Sequence, residues 1–192
     1  MPLPRSTIFC DAKMIHDAIE CGPAGILDEL QAVFARLDEA PLRALAVAVD
    51  RAARVVCAGQ GRSGLVAAAF AVRLGHLGLD ARVAGEASQP AVGQGDLVIA
   101  LSRSGTTAIT LHQAERARAA GAAVTAVIAR PGSPLEAVAD PVVILPATDT
   151  RQHGGSLFEQ AALIAADAVA RALQAARGLS DADLAARHDN LQ

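Results

Sequence analysis

The sequence predicts an α/β fold: a five-stranded parallel sheet flanked by helices, preceded by N-terminal helices. Three observations lead there. Five short apolar runs each end in a Gly-, Ser- or Pro-containing turn, and most are followed by an Ala-rich stretch of helical length. Parallel crossovers need helices, and they bury both faces of the sheet they serve. The chain has 192 residues, which suits one compact domain of roughly 100 to 200 residues. Its composition is 52% hydrophobic with only 2% aromatic, and Trp and Tyr are absent. The core must therefore be built from Ala, Val, Leu and Ile, with enough apolar surface to offset chain entropy.

The elements follow in order. Between Asp28 and Ala53 the apolar residues Leu30, Val33, Phe34, Leu37, Leu42, Leu45, Ala46 and Val49 recur at spacings of three and four. This predicts two amphipathic helices punctuated by Pro41. Residues 1–53 are read as an N-terminal helical arm of the same domain, a candidate oligomerisation arm, and 54–192 as the ligand-binding part with a C-terminal helix and tail. Strands are expected at Arg54–Ala58, Asp80–Ala84, Asp96–Leu101, Ala123–Ala129 and Pro141–Leu145. Ligands of such open sheets sit at the carboxyl ends of strands, so the loops after Ala58, Leu101 and Leu145 are where chemistry is expected.

Charge and patterning exclude several function classes. Net charge is −3, from 17 Lys and Arg against 20 Asp and Glu, and no basic run provides a counterion-release footprint for nucleic acid. Too few aromatics are present to stack single-stranded bases. The apolar stretch Leu157–Leu173 is broken by Glu159, Asp167 and Arg171, so it is not expected to span a bilayer. The N-terminus lacks the order of a signal peptide. Cys10, Cys21 and Cys57 show no C-x-x-C spacing, which suits reduced thiols. The expectation is a cytoplasmic protein with neither nucleic-acid nor membrane partners.

Two loops carry anion-binding chemistry. Gly59-Gln-Gly-Arg-Ser-Gly64 follows a strand and opens a helix, a literal G-x-G-x-x-G pattern. It suits a dinucleotide, with Glu86 near the position of a ribose-holding acid, or else its glycines serve only a tight turn. Ser102-Arg-Ser-Gly-Thr-Thr107 also ends a strand and opens a helix, where hydroxyls and free N–H groups can converge on one anion. A sugar phosphate suits this pair of loops better, since a dehydrogenase would also need a substrate domain. Gly61, Ser63, Ser102, Ser104 and Thr107 are the candidate phosphate ligands, although a Ser or Thr there can also serve as an ordinary helix cap. Arg62 and Arg103 can add charge-assisted contacts.

Gly61-Arg-Ser-Gly64 and Ser102-x-Ser-Gly-x-Thr107 resemble the two phosphate-loop signatures of sugar isomerase (SIS) domains. Phe70–Gly78, Gly85-Glu86 followed by Pro90, Gly155-Ser-Leu-Phe-Glu159 and Arg187–Leu191 extend the likeness to the 6-phospho-3-hexuloisomerase family over residues 30 to 192. The resemblance implies a single SIS domain with a flavodoxin-like or Rossmann-like three-layer fold. It also implies interconversion of hex-3-ulose 6-phosphate and fructose 6-phosphate in the ribulose monophosphate pathway of formaldehyde fixation. No metal or cofactor is implied, and the assembly is a homotetramer with sites at subunit interfaces. Arg103 stands where that family commonly has a small residue. Another SIS isomerase, such as one acting on arabinose 5-phosphate, and a non-catalytic sugar-phosphate sensor are the alternatives.

Isomerising a ketose phosphate through an enediol requires a base that moves one proton between adjacent carbons. Glu159 is the candidate. Ser156-Leu-Phe-Glu159 also reads as a capping box, in which Glu159 would return to the helix N-terminus; the resemblance favours the base. His76 lies about 18 Å along a helix from Gly64 at 1.5 Å rise per residue. It is either a histidine placed favourably at a helix C-terminus or, as the resemblance implies, an acid delivered to a neighbouring subunit. His188 is a further candidate acid, and Glu86 and Gly155 are candidate substrate contacts. His153 could face the same pocket, whereas His16 and His112 are expected on solvated helices.

Overall fold

The apolar runs pair side by side as a parallel sheet in a computed structural model that describes residues 22–188. The strands are β1 (Arg54–Gly59), β2 (Ala81–Val83), β3 (Asp96–Leu101), β4 (Ala123–Ile128) and β5 (Val142–Ile144). Their order is β2-β1-β3-β4-β5, all parallel. The expected α/β class is thus observed, and the order is that of flavodoxin-like sheets, in which the winding reverses between β1 and β3. Cys10, His16 and Cys21, and the tail residues from 189 onward, lie outside the described residues.

The helices are α1 (Pro23–Ala35), α2 (Glu39–Arg51), α3 (Gly61–His76), α4 (Ala108–Ala119), α5 (Ser156–Ala176) and the short α6 (Asp181–Ala185). They cover the sheet unequally. Val55 and Cys57 point into a large core with α1, α2, α3 and α5, centred on Phe70, Leu74, Leu157 and Phe158. Val56 and Ala58, alternate residues of the same strand, point into a smaller core made largely with Ala114 and Ala117 of α4 and Leu135. Leu30, Val33, Leu45 and Val49 of the first two helices are buried in the large core.

One expected boundary moves. Pro41 does not separate α1 from α2; the break is at Arg36–Asp38, and Pro41 lies in the first turn of α2. Asp38 caps that helix by accepting a hydrogen bond from the Ala40 N–H. A proline is tolerated in a first turn because the N–H groups there have no partner within the helix. The Leu157–Leu173 stretch lies within α5, with a buried face of mainly small residues. Among the described residues no helix is long and apolar enough to cross a membrane.

Candidate active site

Gly59 at the end of β1 pairs in register with Leu101 at the end of β3. The two Gly- and Ser-containing loops therefore leave the sheet side by side, at the reversal point where such folds bind ligands.

The first loop is closed by steric fit. A Cβ on Gly59 would lie 2.9 Å from the Ser63 carbonyl oxygen, and one on Gly64 would lie 2.9 Å from the Gly59 carbonyl oxygen. Only hydrogen at both positions lets the first turn of α3 sit against the end of β1. Gly61 adopts φ +57° and faces open space, a conformation costly for other residues. Gln60 at the N-cap makes no side-chain capping bond, so side chains leave the first-turn N–H groups uncapped.

The second loop is held by its own hydroxyls. Ser102 is buried, its Oγ accepts from the Gly105 N–H at 3.1 Å, and it lies 3.0 Å from Thr107 Oγ1. Ser104 Oγ accepts from Thr106 N at 3.2 Å and from Thr106 Oγ1 at 2.9 Å. Thr107 is the N-cap of α4, yet its side chain makes no capping bond. The ordinary-cap explanation therefore fails for Thr107.

Glu159 lies in the first turn of α5, facing both loops. The expected capping box is absent. Gly155 is the N-cap and Ser156 is already helical, its Oγ donating to the His153 carbonyl at 2.8 Å. The register is one residue off that of a box, so the Glu159 carboxylate is left for other partners. Arg62 Nε of the first loop lies 2.5 Å from Glu159 Oε2, and Arg62 Nη1 donates to Ser156 Oγ at 3.3 Å. The pairing is by charge rather than by an aligned hydrogen bond, because Oε2 is buried with no hydrogen-bond partner. Arg103 of the second loop reaches the same glycine, Gly155. A Cβ at Gly155 would lie 3.3 Å from both Arg103 Cδ and Glu159 Oε1. The Glu159 carboxylate thus pairs with Arg62, and a side chain at Gly155 would crowd both it and Arg103.

The remaining candidates are placed elsewhere. Glu86 is exposed in the turn after β2 and makes no side-chain hydrogen bond or ion pair among the described residues. His153 is exposed on the approach to α5, and His112 is exposed on α4. His76, the last residue of α3, lies at the opposite end of that helix from the first loop and stacks on His188, with ring centroids 4.9 Å apart. Burial, then His188 and Arg73, push the His76 imidazole below its usual pKa. No sequence pattern announced this pair, because its members lie at opposite ends of the chain's ligand-binding part.

One residue escaped the sequence reading altogether. Glu29 of α1 accepts from Thr150 Oγ1 at 2.6 Å, Arg151 N at 2.9 Å and Gln152 Nε2 at 2.9 Å, in the segment leading to α5. Its partners lie more than 120 residues away, and no local signal could have found it.

The SIS domain pattern matches residues 49–170. The chain is 39% identical over 188 residues to a 3-hexulose-6-phosphate isomerase of Mycobacterium gastri, covering 94% of each chain. It is 35% identical over 178 residues to the Bacillus subtilis 3-hexulose-6-phosphate isomerase, covering 88% of this chain and 96% of that one. Among solved structures, a Methanococcus jannaschii protein whose crystal structure infers a 3-hexulose-6-phosphate isomerase function aligns with a TM-score of 0.80 and 29% identity, over 87% of this chain and 97% of that one. A match to the SIS domain over residues 49–170, on a sheet ordered β2-β1-β3-β4-β5, and identity over nearly the whole length place the chain in the SIS domain family alongside the 3-hexulose-6-phosphate isomerases.

Proposed function

We propose that this protein is an isomerase interconverting hex-3-ulose 6-phosphate and fructose 6-phosphate through an enediol, in the ribulose monophosphate pathway of formaldehyde fixation. The observation that carries the assignment of the base is the freedom of Glu159: it is half-buried between the two loops and is not consumed by a helix cap. The substrate phosphate is held by the N-terminal turn of α3 and by the Ser104 to Thr107 loop, with Ser102 supporting that loop from below. Glu159 takes the C2 proton of the 3-ulose and returns it to C3, while Arg62 and Arg103 balance the negative charge that develops on the enediolate oxygens. The proton lost from O2 and the one gained at O3 leave the net charge unchanged.

O6 carries the phosphate in both sugars. The 3-ulose therefore cannot close a five-membered ring on C3, whereas fructose 6-phosphate closes through O5 and must be opened. His76 is too far along α3 to serve its own phosphate loops, so it acts as the ring-opening acid in a neighbouring copy, with His188 of the C-terminal tail stacked beside it. The exposed apolar residues Leu65 and Val72 on α3 and Leu163 and Ile164 on α5 support burial against other copies, in a cytoplasmic homotetramer.

The experiment supplies hex-3-ulose 6-phosphate, made in situ from ribulose 5-phosphate and formaldehyde, and couples fructose 6-phosphate formation to an NADP-linked assay. Turnover by the wild-type chain that disappears in Glu159→Gln is the expected result. Absence of turnover, together with a rise in melting temperature on adding sugar phosphates, would replace the isomerase with a sensor or with another substrate.

A further inference from the structure

Glu29 lies on the same face of α1 as Ala32 and Arg36, and that face meets the irregular segment joining β5 to α5. Arg36 Nη2 donates to the Pro146 carbonyl at 3.0 Å. Further along, the Thr150 hydroxyl, the Arg151 N–H, the Arg151 guanidinium and the Gln152 amide all end on the two Glu29 oxygens. Among the described residues, every hydrogen bond from residues 150–152 to the rest of the fold terminates on Glu29. Thr150 also receives the Gln152 N–H at 2.9 Å, which folds the segment around this anchor. The polar path continues to the site: the His153 carbonyl accepts from Ser156 Oγ, Ser156 Oγ accepts from Arg62, and Arg62 pairs with Glu159.

We infer that Glu29 is a positioning residue that sets the start of α5, and with it the Glu159 carboxylate, by bracing the 146–155 segment against α1. The inference rests on the reading of Glu159 as the base. The chemistry of the anchor suits the task. Hydroxyl, backbone and amide donors converge on a carboxylate whose pKa they hold down at about 2, so it stays ionised throughout the neutral range. A segment without regular structure has many accessible conformations, and a misplacement of about 1 Å at a reacting group can cost about 100-fold in rate. The first two helices then have a task beyond burying Leu30 and Val33: they hold the segment that orients the base.

The test is Glu29→Gln in the full chain, an isosteric change that turns one acceptor oxygen into a donor and so leaves donors of the segment unmatched. Thr150→Val removes one of those donors from the opposite side. Expected for Glu29→Gln are a kcat at least about tenfold lower, a KM within about threefold of wild type because the phosphate loops are untouched, and faster amide exchange from 150 through 159. Thr150→Val should show a smaller loss that overlaps with that of Glu29→Gln rather than adding to it. Asp28→Asn, an exposed neighbour, should leave all three readouts unchanged. Unaltered exchange beyond residue 152, or a wild-type kcat in the presence of faster exchange, would overturn the brace. If the wild-type chain fails to turn over the 3-ulose, the proposed function falls separately. Exchange in the presence of inorganic phosphate then decides: acceleration reaching 156–159 upholds the brace, and acceleration confined to 150–152 overturns it.

Discussion

Replacing Gly105 by Ala separates two steric costs within the Ser102–Thr107 loop. Gly105 adopts φ +66°, and a Cβ there would fall 2.1 Å from Ser133 Oγ and 2.4 Å from Ser133 Cβ. The left-handed conformation costs a non-glycine residue about 1–2 kcal/mol. Forcing the Ser133 segment aside adds about 1–3 kcal/mol of overpacking, so Gly105→Ala should destabilise by about 2–5 kcal/mol in all. The clash has little room for relief, because Leu135 N donates to the Gly105 carbonyl and ties the two segments together. Adding Ser133→Gly should remove the overpacking and leave the conformational cost. Stability is read from urea unfolding followed by far-UV circular dichroism, since Trp and Tyr are absent. Phosphate affinity measured by calorimetry should fall with the single substitution and recover in part with the double one. A single-substitution cost below about 1 kcal/mol, or no recovery in the double variant, would contradict the steric fit of Gly105 against Ser133.

Three further outcomes are expected. Arg62→Met should lower kcat by at least about tenfold and destabilise by about 1–3 kcal/mol, because it leaves the buried Glu159 Oε2 without its charge partner; steady-state kinetics beside thermal melts check this. Arg54→Ala should cost about 3–5 kcal/mol in urea unfolding, because it strands the carboxylate of Asp96, whose side chain is 9% exposed and paired at 2.6 Å. His76 has a folded pKa lowered from 6.5, so the unfolded chain binds more protons below that pH. Its contribution is complete above pH 6.5 and is lost as pH falls through the lower folded value. Wild-type unfolding midpoints at pH 8 and pH 5 should therefore differ by more than those of His76→Gln, and equal differences would contradict the assignment.

The parts of this protein legible in its sequence are those specified by neighbours along the chain. The strand runs, the helical periodicity of residues 28–53 and the two glycine and hydroxyl loops are local patterns. The backbone responds to them within a few residues, so the sheet and the edge from which the two loops leave it could be placed in advance. Glu159 was legible as a residue but not in its role, because a shift of a single position in the helix start decides between cap and free carboxylate. Tertiary structure settled that by making Gly155 the N-cap and bringing Arg62 across from the first loop.

The same limit explains what was missed. Sequence periodicity does not state which face of the sheet α4 covers alone, that His188 returns to His76, or that Glu29 receives the 150–152 segment. Each depends on how separately folded elements dock. Docking is governed by shape and by the pairing of buried polar groups at long sequence separation, a constraint that leaves no periodic signature in the chain. Local pattern in the chain thus fixed the α/β class, most of the elements and the place of the two glycine and hydroxyl loops. Docking of the folded elements decided that Arg62 meets Glu159 and that Glu29 receives the segment leading to α5, because both contacts join residues far apart in the chain.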